Sequence, residues 1–196
     1  YEQPERFIRI TATQEDKSWK GANITEIIKK IENEDKHIAN QLRLSMLFGL
    51  RAKESMLLRP CIDYNLHEQV IYVRRGTKNG RPRILAVESE EQREFLNDLL
   101  DSRFDKNSSM IPRMIELKRW IKYYYRVLNK HGVSRKNGLT PHGLRHGYAH
   151  KVYEQKSGQP APILMQEYAP SMKLNPISDK IARLLVSQKL GHSRLS

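Results

Sequence analysis

A histidine and an arginine lie three residues apart at the start of a predicted helix. Thr140 and Pro141 form a strong start signal, because threonine is a good N-cap residue and proline fits the first helical position. His142 and Arg145 follow, and their spacing puts them on one face. A helix N-terminus favours anions, since its N–H groups lack partners and its dipole is positive there. The pair predicts a site for a phosphate group, with an ordinary solvated helix start as the alternative.

A second arginine stands at the junction of two apolar helices. Arg51 follows Gly49, which interrupts the helical pattern, and Glu54 comes one turn after Arg51. An arginine buried without a partner is costly, so Glu54 is expected to hold it in place. The alternative is a surface ion pair that contributes about 0–1 kcal/mol.

A second histidine follows the last predicted helix. Gly191 fits the position just beyond a helix C-terminus, and His192 comes next. The alternative is a capped helix with an exposed histidine.

Three histidines of one helix also raise the question of a metal. His142, His146 and His150 are spaced four residues apart, but Gly143 stands where the metalloprotease pattern requires glutamate. The chain has one cysteine, so a Cys-rich zinc site and an internal disulfide are both excluded. We expect no metal.

The elements that must position these residues are mostly helical. Apolar periodicity predicts helices over 25–31, 35–48, 52–58, 90–102, 112–131, 141–155 and 178–190. Residues 69–75 and 82–87 predict a β-hairpin with a basic tip, and Asn79-Gly80 is its strongest turn signal. Residues 156–177 are rich in proline and predict a long loop.

The charge indicates a polyanionic partner. The sequence has 35 lysines and arginines against 22 acidic residues, a net charge of +13, which favours nucleic acid over an acidic membrane surface. No stretch approaches the roughly 18 apolar residues of a membrane span, and the first residues given do not show the layout of a signal peptide. The chain begins with Tyr1 rather than Met, which indicates a fragment of a longer protein.

These motifs, taken in order, resemble the tyrosine recombinases, the family of phage-type integrases. The matching elements are Leu50-Arg51 with Glu54, a β-hairpin with Lys78, His142 with Arg145-His146, and Leu190-Gly191-His192-Ser193. The resemblance covers the chain from about residue 20 onward. It implies an α+β catalytic domain that is mostly α, with a small antiparallel sheet, over 21–196. Residues 1–20 are then a linker or an edge segment.

The resemblance implies a role for each matching residue. Arg51 and Arg145 would bind the scissile phosphate, because guanidinium groups stabilise charge on its non-bridging oxygens. Lys78 would be the general acid for the leaving 5′-oxygen; Arg75 and Arg81 could contact DNA but not donate that proton, because arginine keeps its own. His142 and His192 would assist with hydrogen bonds and proton transfer. The supporting residues would be Glu54 and His146, and the DNA-binding residues Arg74, Arg75, Arg81 and Arg83.

Two features depart from the family pattern. The nucleophilic tyrosine of the family follows the last histidine by about nine residues, and this sequence stops at Ser196. The segment between Arg145 and His192 is about twice the usual length. The excess fits residues 156–177, either as a loop that contacts DNA or a neighbouring protomer, or as a tolerated surface insertion.

The implied function is site-specific recombination through a 3′-phosphotyrosyl intermediate, in the integrase of a mobile genetic element. The expected partners are double-stranded DNA attachment sites and, for the full-length protein, three further copies in a tetramer. The fragment itself is expected to be an inactive monomer. No cofactor and no membrane are expected, and the expected location is the cytoplasm, at the nucleoid.

Three alternatives stay open from the sequence: a type IB topoisomerase-like enzyme, a catalytically inactive DNA-binding relative, and a basic adaptor. The adaptor predicts that Arg51 and Arg145 lie far apart, whereas a recombinase predicts that they share one pocket with Lys78 and His192.

Overall fold

Helix-capping residues set the boundaries of most helices. The structure, a computed structural model, describes residues 15–19, 23–102, 107–168 and 173–192. Its helices and strands are α1 (Ile24–Glu34), α2 (Lys36–Phe48), α3 (Ala52–Leu57), α4 (Pro60–Asp63), β1 (Tyr64–Asn65), β2 (Val70–Val73), β3 (Arg83–Ala86), α5 (Glu90–Asp101), α6 (Leu117–Lys130), α7 (Pro141–Ser157), α8 (Pro162–Tyr168) and α9 (Pro176–Leu190). The side chains of Asn23, Asp35, Ser89, Thr140 and Asn175 accept hydrogen bonds from the first turns that follow them.

The three strands form one antiparallel sheet in the order β1-β2-β3. Val70 pairs with Ala86 and Val73 pairs with Arg83, so the hairpin register is fixed along four residue pairs. Alternation along β3 buries Leu85 and leaves Ile84 60% exposed. Arg83 and Leu85 are two residues apart, and therefore lie on the same face of the strand.

The core consists of three apolar clusters. The first joins α1, α2 and α6 around Trp120 and Tyr124, and the second packs the sheet against α2 and α5 around Phe48 and Leu85. The third joins α7, α8 and α9 around Tyr153 and Val186. Helix α2 contributes to the first two clusters, because it is buried on most of its circumference.

The predicted class, mostly α with a small antiparallel sheet, is confirmed, but three local predictions were wrong. Helix α6 begins at Leu117 instead of Pro112, because Met114 takes a left-handed backbone conformation with φ of 69°. The segment 156–177 is not one loop, since it contains α8, whose Met165 is buried and whose Ile163 and Leu164 pack against the third cluster. Strand β1 and the short helix α4 were not predicted. None of the described helices is long and apolar enough to cross a membrane.

The described part of the N-terminal segment packs on the start of α7. Trp19 is 6% exposed, and its indole N–H donates a hydrogen bond to the Thr140 carbonyl at 2.6 Å. A methyl group at Gly143 would lie 2.7 Å from the Trp19 ring, so the close contact requires glycine there.

Replacement of this tryptophan should weaken the fold. We expect Trp19→Ala to lower the free energy of unfolding by about 3–5 kcal/mol, because it removes a large buried side chain. Trp19→Phe should cost less, about 1–3 kcal/mol, since it loses mainly the hydrogen bond. Urea unfolding of the three proteins measures both values, and equal midpoints for Trp19→Ala and the wild type would contradict the expected packing.

Candidate active site

Arg51 and Glu54 are joined at the start of α3, as their spacing predicted. The backbone N–H of Arg51 donates to Oε2 of Glu54 at 2.8 Å, and Nη1 of Arg51 donates to Oε1 at 2.6 Å. Glu54 is 1% exposed, whereas the side chain of Arg51 is 23% exposed. The carboxylate therefore fixes an arginine that stays partly accessible from solvent.

Two further arginines converge on the same carboxylate. Arg83 donates from Nη1 and Nη2 to the two oxygens of Glu54 at 2.8 and 2.7 Å, and Nη1 of Arg145 lies 3.8 Å from Oε2. Burial raises the pKa of Glu54, but the hydrogen bonds and charge of Arg83, with the bonds from Arg51, outweigh it and hold that pKa below its usual range. Glu54 is therefore ionised at neutral pH.

The cluster carries surplus positive charge. Among the described residues, the ion pairs of Arg51, Arg83 and Arg145 all go to Glu54, so three positive charges face one negative charge. Burial and the charge of Arg51 lower the pKa of Arg145 to about 9. A guanidinium group with so low a pKa lies in a site that favours an additional anion.

Arg145 links the ends of two other helices. Its Nη1 donates to the carbonyl of Gly49 after α2, and its Nη2 donates to the carbonyl of Leu190 at the end of α9, at 2.5 Å. Helix C-termini carry unpaired carbonyl groups and partial negative charge, which suit a buried cation. Arg145 is 2% exposed and is therefore held on several sides.

Gly49 permits this close approach. It has φ of 63°, and a methyl group built on it would lie 2.4 Å from Cδ1 of Tyr148. A side chain there would push Tyr148 and with it the α7 turn that carries Arg145.

His192 adjoins Arg145, as the resemblance predicted. Nε2 of His192 lies 3.4 Å from Nη2 of Arg145. Since a guanidinium group only donates hydrogen bonds, we assign Nε2 as the acceptor and the proton to Nδ1. Burial, followed by the charges of Arg145, Arg51 and Arg83, lowers the pKa of His192 to about 4, so the ring is neutral at pH 7.

His142 and His146 stack at the start of α7. Their rings meet edge to face with centroids 4.6 Å apart. Burial, with the charges of Arg145 and Arg51, lowers the pKa of His142. Burial and the neighbouring His142 and His150 lower the pKa of His146 to about 4. After burial, the charges that lower the pKa of His142 are therefore those of the two arginines of the site, whereas those that lower the pKa of His146 are first those of the other two histidines. No group of side chains suited to a metal ion is found among the described residues.

The hairpin residues take three different environments. Lys78 and Arg81 are exposed at the tip, where Lys78–Gly80 form one 3₁₀ turn. Arg75 is paired with the buried Asp63 at 2.8 Å, and Arg74 is 48% exposed at 3.8 Å from the same residue. The structure brings Arg51, Arg145, His142 and His192 together, and Lys78 remains on the adjacent hairpin outside the ion pairs of Glu54.

The prediction that Arg83 binds DNA needs correction. Its side chain is 7% exposed, and besides Glu54 it donates from Nε to the Lys189 carbonyl at 3.0 Å. Arg83 therefore stabilises the site from within, because it joins β3 to Glu54 and to the end of α9. The signal in the sequence was the strand alternation, which places Arg83 on the face of the buried Leu85.

Exposed cations that the sequence did not single out lie on α6. Arg119, Lys122 and Arg126 line an open cleft together with Tyr123, and Arg126 lies over the ring of Tyr123 at 5.1 Å.

Comparisons with known proteins agree with this geometry. The fold is that of the catalytic domain of tyrosine recombinases. The sequence matches the integrase family over residues 9–151, more than half of the chain, and the chain belongs to that family. No curated protein matches the sequence.

Solved structures with this fold include two recombinases. The crystal structure of XerA recombinase has a TM-score of 0.50 and 21% identity, over 87% of this chain and 54% of that one. The Tn1549 transposon integrase in complex with circular intermediate DNA has a TM-score of 0.54 and 16% identity, over 95% of this chain and 60% of that one. This chain therefore spans little more than half the length of either, and such identities show the fold alone.

Removal of the Glu54 charge should destabilise the protein. Glu54→Gln leaves three arginines close together without a carboxylate, and loss of one partner of a buried ion pair costs about 3–5 kcal/mol. Chemical denaturation measures the change. Glu26→Gln, which breaks the exposed pair with Lys30, is the control and should have little effect. A similar small effect of Glu54→Gln would show that the arginines do not depend on this carboxylate.

Acid should destabilise the protein through the histidines. In the unfolded chain they take up protons near pH 6.5, whereas folded His146 and His192 do so at about 4. Between these values the unfolded state binds more protons, so stability falls as the pH falls. Thermal unfolding across this range should show a shallower decline for His146→Gln and His192→Gln than for the wild type. Identical slopes would contradict the lowered pKa values.

Proposed function

We propose that the full-length protein is a site-specific tyrosine recombinase, the integrase of a mobile genetic element, that cleaves and rejoins DNA through a 3′-phosphotyrosyl intermediate. The observation that carries the proposal is the convergence of Arg51, Arg83 and Arg145 on the single negative charge of Glu54, beside His192. A basic adaptor requires no such convergence.

The charge of the cluster suits phosphoryl transfer. A DNA phosphodiester carries one negative charge, and addition of an oxygen nucleophile adds a second in the transition state. The three arginines and Glu54 leave two positive charges uncompensated. Fixed charges that match the transition state better than the ground state accelerate the reaction. The partly exposed Arg51 is the cation best placed to contact the phosphate, and the buried Arg145 supports the charge behind it.

The two histidines supply groups for proton transfer. His192 and His142 are neutral at neutral pH, so each can accept a proton or donate one N–H to a phosphoryl oxygen without adding to the repulsion among the arginines. The arrival of a phosphate would raise the pKa of both rings, because the anion offsets the arginine charges that lower them. With the higher pKa, His142 and His192 would be better able to hold a proton during the reaction once DNA is bound.

The remaining reaction groups are assigned by the family resemblance. Lys78 would protonate the leaving 5′-oxygen, and the nucleophile would be a tyrosine beyond the last residue of this sequence. Tyr148 lies beside Gly49, but burial raises its pKa to about 12. A nucleophile requires the opposite change, so Tyr148 instead packs the site.

The DNA would meet exposed cations outside the arginine cluster. On α6 these are Arg119, Lys122 and Arg126, and on the hairpin Arg74 and Arg81. Such contacts neutralise phosphates and make affinity depend on salt. In the proposed assembly, four copies of the full-length protein act on two duplexes in the cytoplasm of the host.

Covalent trapping tests the proposal. The full-length protein is mixed with nicked attachment-site DNA from the ends of the mobile element that encodes it. A denaturing gel then separates free DNA from DNA that is covalently bound to the protein. We expect a covalent band for the wild type. Arg145→Ala and Arg51→Ala should lower its rate of formation on the order of 10²–10³-fold, since each removes a group that stabilises the transition state.

Controls separate loss of chemistry from loss of fold. Arg93→Ala removes an arginine of α5 that is paired with the exposed Glu90, and should retain the band. Thermal unfolding shows whether each variant is folded. A wild-type protein that binds the attachment site but forms no covalent band would instead be an inactive DNA-binding relative. Cleavage without site preference would indicate a topoisomerase.

A further inference from the structure

The hairpin that carries Lys78 is tied to a buried aspartate at its base. Asp63, the last residue of α4, is 1% exposed. It accepts hydrogen bonds from Nη1 of Arg75 at 2.8 and 3.1 Å, and from the backbone N–H of Arg59 at 2.8 Å. Arg75 comes just after β2, so this contact fixes the point at which the chain leaves the sheet.

The same loop also contacts the helix that carries Glu54. Gly76 has φ of 72°, and a methyl group there would lie 2.7 Å from the carbonyl oxygen of Lys53 and 3.0 Å from the backbone nitrogen of Glu54. At the other end of the loop, Arg83 is bound to Glu54. Both ends of the segment between Arg75 and Arg83 are therefore held against the arginine cluster.

We propose that Asp63 is a positioning residue for DNA cleavage, which acts through Arg75 to hold Lys78 over the scissile phosphate. The inference rests on the proposed function, in which Lys78 is the general acid. Lys78 follows Gly76 by two residues, a span of at most about 7 Å. The anchored Gly76 therefore limits where the Lys78 ammonium can lie, and release of Arg75 would remove that limit.

A stabilising role alone explains the pair less well. Burial of an ion pair costs desolvation, and such pairs contribute little net stability. The hairpin is already held by the β2–β3 pairing and by the buried side chains of Ile71, Val73 and Leu85. What the Asp63–Arg75 pair adds is a fixed point for the loop, because Nη1 of Arg75 is shared between the two oxygens of Asp63 and so ties the start of the loop to the end of α4.

A substrate with sulfur in place of the 5′-oxygen distinguishes a role in positioning Lys78 from a general loss of folding or activity. In the proposed reaction the tyrosine hydroxyl passes its proton to one of the two neutral histidines, His142 or His192, as its oxygen bonds to phosphorus. The bond from phosphorus to the 5′-oxygen breaks, and that oxygen takes a proton from the Lys78 ammonium. With sulfur in place of the 5′-oxygen, the leaving thiolate needs no proton, because thiols have a pKa near 8.5. A defect in Lys78 positioning should therefore disappear with the sulfur substrate.

The experiment measures covalent-complex formation by the full-length protein on both substrates. We expect Asp63→Asn and Arg75→Gln to slow cleavage of the oxygen substrate on the order of 10- to 100-fold, as small displacements of catalytic groups do. Both should cleave the sulfur substrate at nearly the wild-type rate. The double variant should be no slower than either single variant, because the two residues act as one unit.

Three further variants serve as controls. Arg145→Ala should be slow on both substrates, since its role does not depend on the leaving group. Glu32→Gln breaks a different carboxylate–arginine pair, in which Nη1 and Nη2 of Arg43 bind Glu32 between α1 and α2, and should cleave both substrates normally. Gly76→Ala tests the loop contact independently and should behave like Arg75→Gln, which keeps the proposal testable if Asp63→Asn does not fold.

The possible failures are distinguishable. If the wild type forms a covalent complex and the Asp63 and Arg75 variants match it on the oxygen substrate, the positioning role is wrong and the proposed function stands. Equal slowing on both substrates would mean that the pair only maintains the fold, which also overturns the inference. Absence of a covalent complex from the wild type on either substrate would overturn the proposed function itself.

Discussion

The site depends on one buried carboxylate. Glu54 connects parts of the chain that are far apart in sequence: Arg51 at the start of α3, Arg83 on β3 and Arg145 on α7. Arg145 and Arg83 extend the connection to the end of α9 through the carbonyls of Leu190 and Lys189. The sheet, α7 and α9 are therefore held in register by polar contacts as well as by their apolar clusters.

The three arginines around Glu54 lower the stability of the fold, and the same charges would favour the binding of an anion. Three guanidinium groups around one carboxylate repel one another. Burial first, and then the charges of the neighbouring arginines, lower the pKa of Arg145 and of His192. The apolar packing of α2, α7 and α9 holds the charges together at this cost. A phosphate that enters the cluster relieves the repulsion, so the strain that lowers stability is the same quantity that favours an anionic transition state.

Much of the architecture could be predicted from the sequence, because it follows from short-range signals. Thr140-Pro141 set the start of α7, Gly49 the end of α2, and the spacing of Arg51 and Glu54 their contact. The convergence of Arg51, Arg145 and His192 came from the family resemblance and not from these local patterns, since it depends on packing among α2, α7 and α9. The helix α8 was missed because prolines that begin a helix are the same residues that indicate a loop.

Arg83 shows why a count of charges misleads in such a protein. A basic residue close to a hairpin tip suggests a surface contact with DNA, yet the strand alternation turns it inward beside Leu85. Arg51, Arg83 and Arg145 all contribute to the net charge of +13, but two of them are almost fully buried and the third is mostly covered. Under the proposed function, the charge that would attract DNA at a distance thus lies on exposed residues such as those of α6, whereas the arginines inside would act only on a phosphate that has reached the site. Attraction of the duplex and stabilisation of the reacting phosphate would accordingly depend on different sets of cations, which can change independently of each other.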